Sequence, residues 1–375
     1  MIIGIPKEIK NHEYRVGATP SMVRALVDAG HQVLVQSQAG TKIGFSDEMF
    51  KAAGAKIVQT AKEIYDVAEM VIKVKEPQDS EFPLLKKGQI LFCYLHLAPD
   101  PIQTEQLIKS KVVAIAYETV TDTQGRLPLL IPMSEMAGRI AIQVGATCLQ
   151  LNMGGKGVLL GGVPGVAPAR VVVIGGGIVG TESARMALGL GADVIIIDKD
   201  LNRLRALDAQ FGPRLKTLYS SPLTIEEAIS RADLVIGAVL IPGKTAPKLI
   251  TRQMIKKMTP GSVIVDVAID QGGCTETSKP TTHADPIYIV DDVIHYCVTN
   301  MPGACARTST QALTNATMDY ALTIANKGWR QALLNNVGLR NGLNVCYGQV
   351  TNESVAHDLG YNYVPPEMLL HEALV

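Results

Sequence analysis

The first third of the chain alternates short apolar runs with segments of helical periodicity. Apolar runs at residues 2–6, 31–36, 70–75, 90–94 and 112–116 predict strands, and helical patterns such as 101–110 lie between several of them. Alternating strands and helices are typical of a parallel sheet covered by helices. We therefore predict an α/β fold for this part of the chain.

The pattern changes at residue 133. A long helical pattern spans 133–153, a Gly/Pro-rich loop follows at 154–168, and further strands are predicted at 171–174, 234–239, 262–268, 287–290 and 296–299. Helical periodicity returns from 308 to 329. These patterns predict two Rossmann-like domains with mainly parallel sheets, linked by long helices around an interdomain cleft. One domain is discontinuous, 1–132 with 308–375, and the other is 133–307.

The strand at 171–174 leads directly into a glycine motif, Gly175-x-Gly177-x-x-Gly180. Gly175 permits a tight turn, Gly177 allows the backbone to approach a pyrophosphate, and Gly180 allows the next helix to pack closely on the sheet. Phosphates would lie at the N-terminus of that helix, where unpaired N–H groups favour anions. The motif predicts a dinucleotide site in domain 133–307.

Asp198 ends the next predicted strand. A carboxylate there can accept hydrogen bonds from both ribose hydroxyls and would repel a 2′-phosphate, which favours NAD over NADP, although Lys199 weakens this exclusion. Two other interpretations remain open at this point. One is a glycine-rich turn beside a surface aspartate, and the other is the nucleoside site of a methyltransferase.

The amino-acid composition indicates what kind of partner the protein binds. The 375 residues are 47% hydrophobic, and 35 basic residues balance 35 acidic ones, so no basic footprint for nucleic acid is present. Six cysteines occur without a C-x-x-C pair or a Cys/His cluster at zinc spacing, which predicts free thiols and no metal site. We expect a small-molecule partner.

Two features favour a cytoplasmic protein. The N-terminal residues lack a basic segment followed by an apolar one, so we expect no signal peptide. The longest stretch without Asp, Glu, Lys or Arg, at 140–155, is too short to span a bilayer, so no membrane association is expected.

Three polar residues lie at or beyond the ends of predicted strands of the first domain: Arg15 and His96 follow strands, and Lys75 closes the strand at 70–75. Ligands bind beyond the carboxyl ends of parallel strands, so the three can share one sheet edge. A guanidinium fits a carboxylate, an ammonium polarises a carbonyl or imine, and an imidazole moves protons near neutral pH. Arg15 could instead be a solvated charge and His96 a satisfied core histidine. Lys73 lies on the same strand face as Lys75, so depth decides between them.

The second domain offers similar candidates. Asp270 follows the strand at 262–268, and Asn300 and Met301 follow the strand at 296–299. Asp270 is interpreted as a proton relay in preference to a turn aspartate. Asp266, inside the strand, is interpreted as structural.

Several segments resemble one family closely. G-I-P-K-E-I-K-N-H-E-Y-R-V-G-A-T-P, V-K-E-P, Y-L-H-L-A, P-M-S-E-M-A-G-R and V-T-N-M-P-G-A, together with the glycine motif, resemble the family of alanine dehydrogenases and the NAD-binding subunit of proton-pumping transhydrogenases. The similarity extends over essentially the whole length.

The resemblance implies reversible oxidative deamination of L-alanine to pyruvate and ammonium with hydride transfer to NAD. It implies that Arg15 and Lys75 hold the substrate and that His96 and Asp270 are acid/base groups. It also implies a homo-hexamer. The cofactor would be bound by Ser134, Asp198, Asn300 and the backbone around Gly177, with Met133 and Met301 lining the pocket.

Two alternatives remain. A transhydrogenase NAD-binding subunit would bind NAD(H) but pass hydride to a partner protein, and a non-catalytic NAD-binding protein would turn over no amino acid. Alanine-dependent NADH production by the chain alone would separate the first from a dehydrogenase.

Overall fold

The computed structural model describes residues 1–240 and 245–371 and divides into two compact units. Unit 1 consists of Met1–Met133 and Cys305–Val375, and unit 2 of Ser134–Ala304. The predicted domain borders, after 132 and after 307, lie one and three residues from these borders. The last residues of the predicted first domain, 372–375, lie outside the described residues.

Strands and helices are numbered along the chain. The strands are β1 (Ile2–Ile5), β2 (Gln32–Gln36), β3 (Lys56–Val58), β4 (Met70–Ile72), β5 (Ile90–Cys93), β6 (Val113–Ala116), β7 (Arg170–Ile174), β8 (Asp193–Asp198), β9 (Leu215–Tyr219), β10 (Leu234–Gly237), β11 (Val263–Asp266), β12 (Ile287–Val290), β13 (Val293–Tyr296), β14 (Leu343–Cys346) and β15 (Gln349–Val350). The helices are α1 (Pro20–Asp28), α2 (Asp47–Ala52), α3 (Ala61–Val67), α4 (Pro101–Ser110), α5 (Ile131–Cys148), α6 (Ile178–Gly189), α7 (Leu201–Phe211), α8 (Pro222–Ser230), α9 (Arg252–Ile255), α10 (Ala306–Lys327), α11 (Trp329–Asn335), α12 (Val337–Arg340), α13 (Glu353–Leu359) and α14 (Pro366–His371).

Each unit is built on one sheet. The sheet of unit 1 has the order β15-β14-β6-β5-β4-β1-β2-β3, and that of unit 2 the order β12-β13-β11-β10-β7-β8-β9. Neighbouring strands are parallel except at β14–β15, β14–β6 and β12–β13. Strands such as β5, β6, β10 and β11 are buried at every position, as expected where helices cover both faces. The predicted α/β class with mainly parallel sheets is confirmed.

Most errors concern strand ends. The run at 70–75 is strand only to Ile72, because the backbone N–H groups of Val74 and Lys75 donate to the Glu8 carboxylate instead of a neighbouring strand. The strand predicted at 296–299 is wrong: β13 covers Val293–Tyr296. The polar His295 interrupts the apolar pattern from which a buried strand would be predicted. Its ring is nevertheless fully buried, because its two nitrogens form hydrogen bonds with Val293 O and Thr277 Oγ1.

The long helical pattern at 133–153 corresponds to α5, which ends at Cys148, and a separate 3₁₀ helix at Leu151–Met153. The pattern predicted from 308 corresponds to α10 and α11. Within residues 1–240 and 245–371, no helix combines the length and apolarity needed to cross a membrane.

Candidate functional site

The three candidates of unit 1 follow three adjacent strands. Arg15 lies beyond β1, Lys75 beyond β4 and His96 beyond β5, and the sheet order places β5, β4 and β1 side by side and parallel. Parallel neighbours end at the same edge, so the three residues belong to the carboxyl edge of one sheet. The structure thus places together residues that are widely separated in sequence.

Arg15 is a buried cation held by Glu13. Its Nε donates to Glu13 Oε1 and its Nη2 to Glu13 Oε2, both at 2.7 Å, while Nη1 lies 3.1 Å from Met133 Sδ. Only 2% of Arg15 is exposed, so it is not a solvated charge. Burial would raise the pKa of Glu13, but hydrogen bonds and charge from Arg15 outweigh it and lower the pKa to about 2. The fixed orientation aims the remaining guanidinium edge toward Met133.

Depth separates the two lysines beyond β4. Lys73 is fully buried and forms ion pairs with Glu8 at 3.1 Å and Glu81 at 3.0 Å. Burial would lower the pKa of Lys73, but the two carboxylates reverse this and raise it. Lys73 is therefore a structural cation.

Lys75 differs in its surroundings. Among the described residues, no acceptor or carboxylate lies within bonding distance of its Nζ, although its backbone N–H donates to Glu8 Oε1. Burial and the charge of Arg15 lower the pKa of Lys75. The positive charges of Arg15 and Lys75 thus lie close enough to repel each other, and a bound anion would relieve this repulsion.

His96 is exposed and lies in a turn with a left-handed backbone conformation. Its backbone φ is +50°, a left-handed conformation uncommon for residues other than glycine. Its ring stacks on Tyr94 at a centroid distance of 5.8 Å with an interplanar angle of 7°. Burial raises the pKa of Tyr94, and the charge of Arg15 opposes this rise. Tyr94 therefore lies near Arg15 as well as against the His96 ring. His96 is not a core histidine.

Sequence reasoning missed the carboxylates that hold these residues. The backbone N–H groups of Arg15, Lys75 and His96 donate to Glu13, Glu8 and Glu118, respectively, at 3.1, 3.2 and 2.6 Å. Glu13 is two residues from Arg15 and could have been found from that spacing. Glu8 and Glu118 lie 67 and 22 residues from their partners, and no local pattern indicates them.

The glycine motif of unit 2 forms the turn from β7 into α6. Gly175 has φ +101°, and a Cβ on Gly180 would lie 1.8 Å from Gly175 O, so the fold itself requires glycine at both positions. Gly177 differs, since a Cβ there would meet no atom within 4 Å. No side chain caps α6 at Gly177. This open, uncapped helix N-terminus fits a pyrophosphate.

Asp198 lies beside this turn, at the end of β8. Its Oδ2 accepts a hydrogen bond from Gly176 N at 2.6 Å and its Oδ1 accepts one from Asp200 N at 2.8 Å. The carboxylate is only half-buried. It is thus oriented beside the glycine turn between β7 and α6.

The remaining candidates of unit 2 lie beyond β11, beyond β13 and in α5. Asp270 is exposed in the 3₁₀ helix Val267–Gln271 beyond β11, and Asn300 follows β13 with a left-handed φ of +57°. Met301 is buried, and Ser134 is half-buried in the first turn of α5.

Asp266 has the structural role assigned to it. The residue is fully buried, and its carboxylate accepts hydrogen bonds from Ala268 N, Cys274 N and Ser278 Oγ. These contacts fix the segment that begins at the end of β11 and includes Asp270.

In the part of the chain that the structure describes, no group of three or more His, Cys, Asp or Glu residues is arranged to hold a metal ion. The described cysteines are free thiols.

Comparison with known proteins covers both units. Residues 4–137 match the family model "Alanine dehydrogenase/PNT, N-terminal domain", and residues 141–353 match "Alanine dehydrogenase/PNT, C-terminal domain". The chain is 57% identical over 370 residues to an alanine dehydrogenase of Halomonas elongata, covering 99% of this chain and 100% of that protein.

Two solved structures are also similar. An L-alanine dehydrogenase aligns with a TM-score of 0.94 and 52% identity, covering 96% of this chain and 99% of the other. A transhydrogenase from Sinorhizobium meliloti aligns with a TM-score of 0.80 and 23% identity over 94% of this chain and 100% of the other. The second likeness shows a shared fold alone.

Proposed function

We propose, since the chain belongs to the alanine dehydrogenase/PNT family, that it catalyses the reversible NAD-dependent oxidative deamination of L-alanine to pyruvate and ammonium. The observation that carries the proposal is the carboxyl edge of unit 1, where adjacent strands present Arg15, Lys75 and His96. A guanidinium, an ammonium and an imidazole together suit a small 2-amino or 2-oxo acid.

We assign the cofactor to unit 2. The uncapped N-terminus of α6 at Gly177 would hold the pyrophosphate and Asp198 the adenosine ribose. Ser134, Asn300 and Met301 would make the other cofactor contacts. When bound, the nicotinamide supplies the hydride acceptor, which no amino-acid side chain provides. NAD is proposed over NADP because the Asp198 carboxylate would repel a 2′-phosphate.

Arg15 and Lys75 bind and orient the substrate in this proposal. The Arg15 guanidinium is fixed by Glu13 and pairs with the substrate carboxylate. The Lys75 ammonium donates to the substrate's carbonyl or imine and stabilises negative charge that develops there. Binding of an anion would also relieve the repulsion that lowers the pKa of Lys75.

His96 and Asp270 move protons. Loss of a hydride from Cα and of a proton from the ammonium group of alanine leaves iminopyruvate, and water adds to its C=N carbon to give a carbinolamine. His96 takes the proton of the attacking water and returns it to the amine. The carbinolamine hydroxyl then loses its proton as the C–N bond breaks, which gives pyruvate and ammonia. Asp270, exposed beyond β11, orients the water or exchanges the proton.

Two further properties belong to the proposal. The family resemblance favours a homo-hexamer, and the free cysteines favour a reducing cytoplasm. The balance of 35 acidic and 35 basic residues favours small-molecule partners over nucleic acid.

The decisive experiment is reductive amination by the purified chain alone. A panel of 2-oxo acids with ammonium is followed by loss of NADH absorbance, with pyruvate expected to give the highest kcat/KM. Binding of NADH without turnover of any 2-oxo acid would contradict the proposal and favour a transhydrogenase subunit or a binding protein. His96→Ala should lower kcat about 10²- to 10⁴-fold while the Kd for NAD is retained, and near-native turnover would contradict the proton-shuttle role.

A further inference from the structure

A carboxylate from the segment beyond β6 holds the turn that carries His96. Glu118 lies in the 3₁₀ helix Tyr117–Thr119, directly beyond β6, which is the neighbour of β5 in the sheet. Its Oε1 accepts His96 N at 2.6 Å, and both its oxygens lie 3.2 Å from Leu95 N. Gln103 Nε2 donates to Leu95 O at 2.8 Å on the other side of the same peptide segment. Both successive amides are thus directed at Glu118.

These contacts fix an unfavourable backbone conformation. With φ at +50°, His96 adopts a conformation that costs L-residues free energy and persists only when the surroundings enforce it. The left-handed turn points the imidazole outward, while Leu95 and Leu97 on either side are buried. Stacking on Tyr94 then fixes the ring.

Glu118 also differs from the other two carboxylates of the edge. Glu13 and Glu8 each place a negative charge beside a buried cation, Arg15 and Lys73, so their removal would weaken the neutralisation of a buried charge. Among the residues that the structure describes, Glu118 forms no ion pair. Its carboxylate serves the backbone of the His96 turn.

We propose that Glu118 is a positioning residue for His96: its carboxylate holds the left-handed turn that presents the imidazole to the substrate. This inference rests on the proposed role of His96 in deamination. Glu118 touches no reacting atom in the proposal, and it acts only through the placement of the imidazole.

The chain contains a matched control. Gln38, beyond β2 in the same sheet, is also left-handed with φ +62°, and its N–H donates to Asp47 Oδ1 at 2.8 Å. Asp47 also accepts from Ser37 Oγ at 2.7 Å and, among the described residues, forms no ion pair. Asp47→Ala therefore removes the same kind of contact at the same sheet edge, from a turn that carries none of the proposed site residues.

The test is a double-mutant cycle on the full-length enzyme with alanine and NAD. We expect Glu118→Ala to lower kcat about 10- to 100-fold with little change in the KM for alanine, because a misplaced proton shuttle slows turnover more than binding. Asp47→Ala should leave kcat unchanged. In a His96→Ala background, Glu118→Ala should cause no further loss, because the group that it positions is gone. Thermal unfolding is measured for every variant.

Glu118→Gln keeps one carbonyl oxygen as an acceptor, so we expect a kcat between those of the native and alanine forms. It also provides the comparison if Glu118→Ala does not fold. Native kcat in Glu118→Gln and Glu118→Ala, or an equal fold-loss from Glu118→Ala with and without His96, would overturn the positioning role. Near-native turnover in His96→Ala would instead overturn the proton-shuttle role of His96, which separates that failure from this one.

Discussion

Replacing Glu13 with glutamine tests whether Arg15 is held by charge. The glutamine carbonyl can replace Oε1, which accepts the N–H and the Nε of Arg15, but its amide NH₂ would face Nη2, so a donor meets a donor. Arg15 is 2% exposed and cannot turn to bulk water. Glu13→Gln therefore removes the negative charge of Glu13 from beside a buried guanidinium.

The pKa of Glu13 gives the magnitude. Lowering the pKa from 4.5 to about 2 stabilises the ionised carboxylate in the fold by about 3 kcal/mol, since each pKa unit corresponds to about 1.4 kcal/mol. Leaving a buried charge unpaired costs about 3–5 kcal/mol in comparable cases. Both figures are a large part of a typical unfolding free energy of roughly 5–15 kcal/mol. We expect a loss of about 3 kcal/mol or more near neutral pH.

The pH dependence has a definite sign. Because the pKa in the folded state is lowered, the stabilisation is fully present above pH 4.5 and is lost as the pH falls toward about 2. Urea unfolding of native and Glu13→Gln protein should therefore differ most near neutral pH, and the difference should shrink below pH 4.5. The KM for alanine should rise while the Kd for NAD stays constant.

Glu63→Gln is the control for loss of a surface carboxylate. Glu63 completes the capping box of α3 and is exposed, with a pKa lowered mainly by its hydrogen bonds to Thr60. Its replacement should cost much less than that of Glu13. If Glu13→Gln unfolds at the native urea concentration near neutral pH, or if the two variants lose equal stability, the buried pair does not contribute as argued.

Three further changes test the cofactor site and the core. Gly177→Ala should weaken NAD binding in a fluorescence titration without lowering the thermal midpoint, because the added Cβ would meet no other atom of the protein. Gly189→Ala is the control, since its Cβ would also meet open space, and it should leave NAD affinity unchanged. Equal effects of the two changes on NAD affinity would contradict the assignment. Asp198→Asn should raise the Kd for NAD about tenfold and reduce discrimination against NADP, and an unchanged NAD/NADP ratio would refute the ribose role. Tyr117→Phe removes a buried hydroxyl that has no hydrogen-bond partner among the described residues, so urea unfolding should show unchanged stability or a gain of up to about 1–3 kcal/mol. A clear loss of stability would contradict the absence of a partner for this hydroxyl.

Sequence patterns predicted the parts of the site that lie within one supersecondary unit. The turn from β7 to α6 and Asp198 at the end of β8 occur within one βαβ segment, where spacing reports geometry directly. The rule that ligands bind at carboxyl ends of parallel strands also selected Arg15, Lys75 and His96, although the sequence does not show that β1, β4 and β5 are neighbours.

Long-range polar contacts could not be predicted in the same way. Alternation along the predicted strand 70–75 would place Lys73 and Lys75 on one face, and only the positions of Glu8 and Glu81 show that Lys73 is the neutralised one. The contact between Glu118 and His96 depends on the pairing of β5 with β6. Such contacts follow from tertiary structure and leave no periodic pattern in the sequence.

The carboxylates at the carboxyl edge of unit 1 differ in whether we expect them to stabilise the fold. Glu8 and Glu13 each accept the backbone N–H of a substrate-binding candidate and also neutralise a buried cation, so their removal should destabilise the fold as well as the site. Glu118 accepts the N–H of His96 without an ion pair among the described residues, so its removal should affect turnover more than unfolding. The same geometry therefore predicts two classes of variant at one sheet edge, which combined kinetic and unfolding measurements would distinguish.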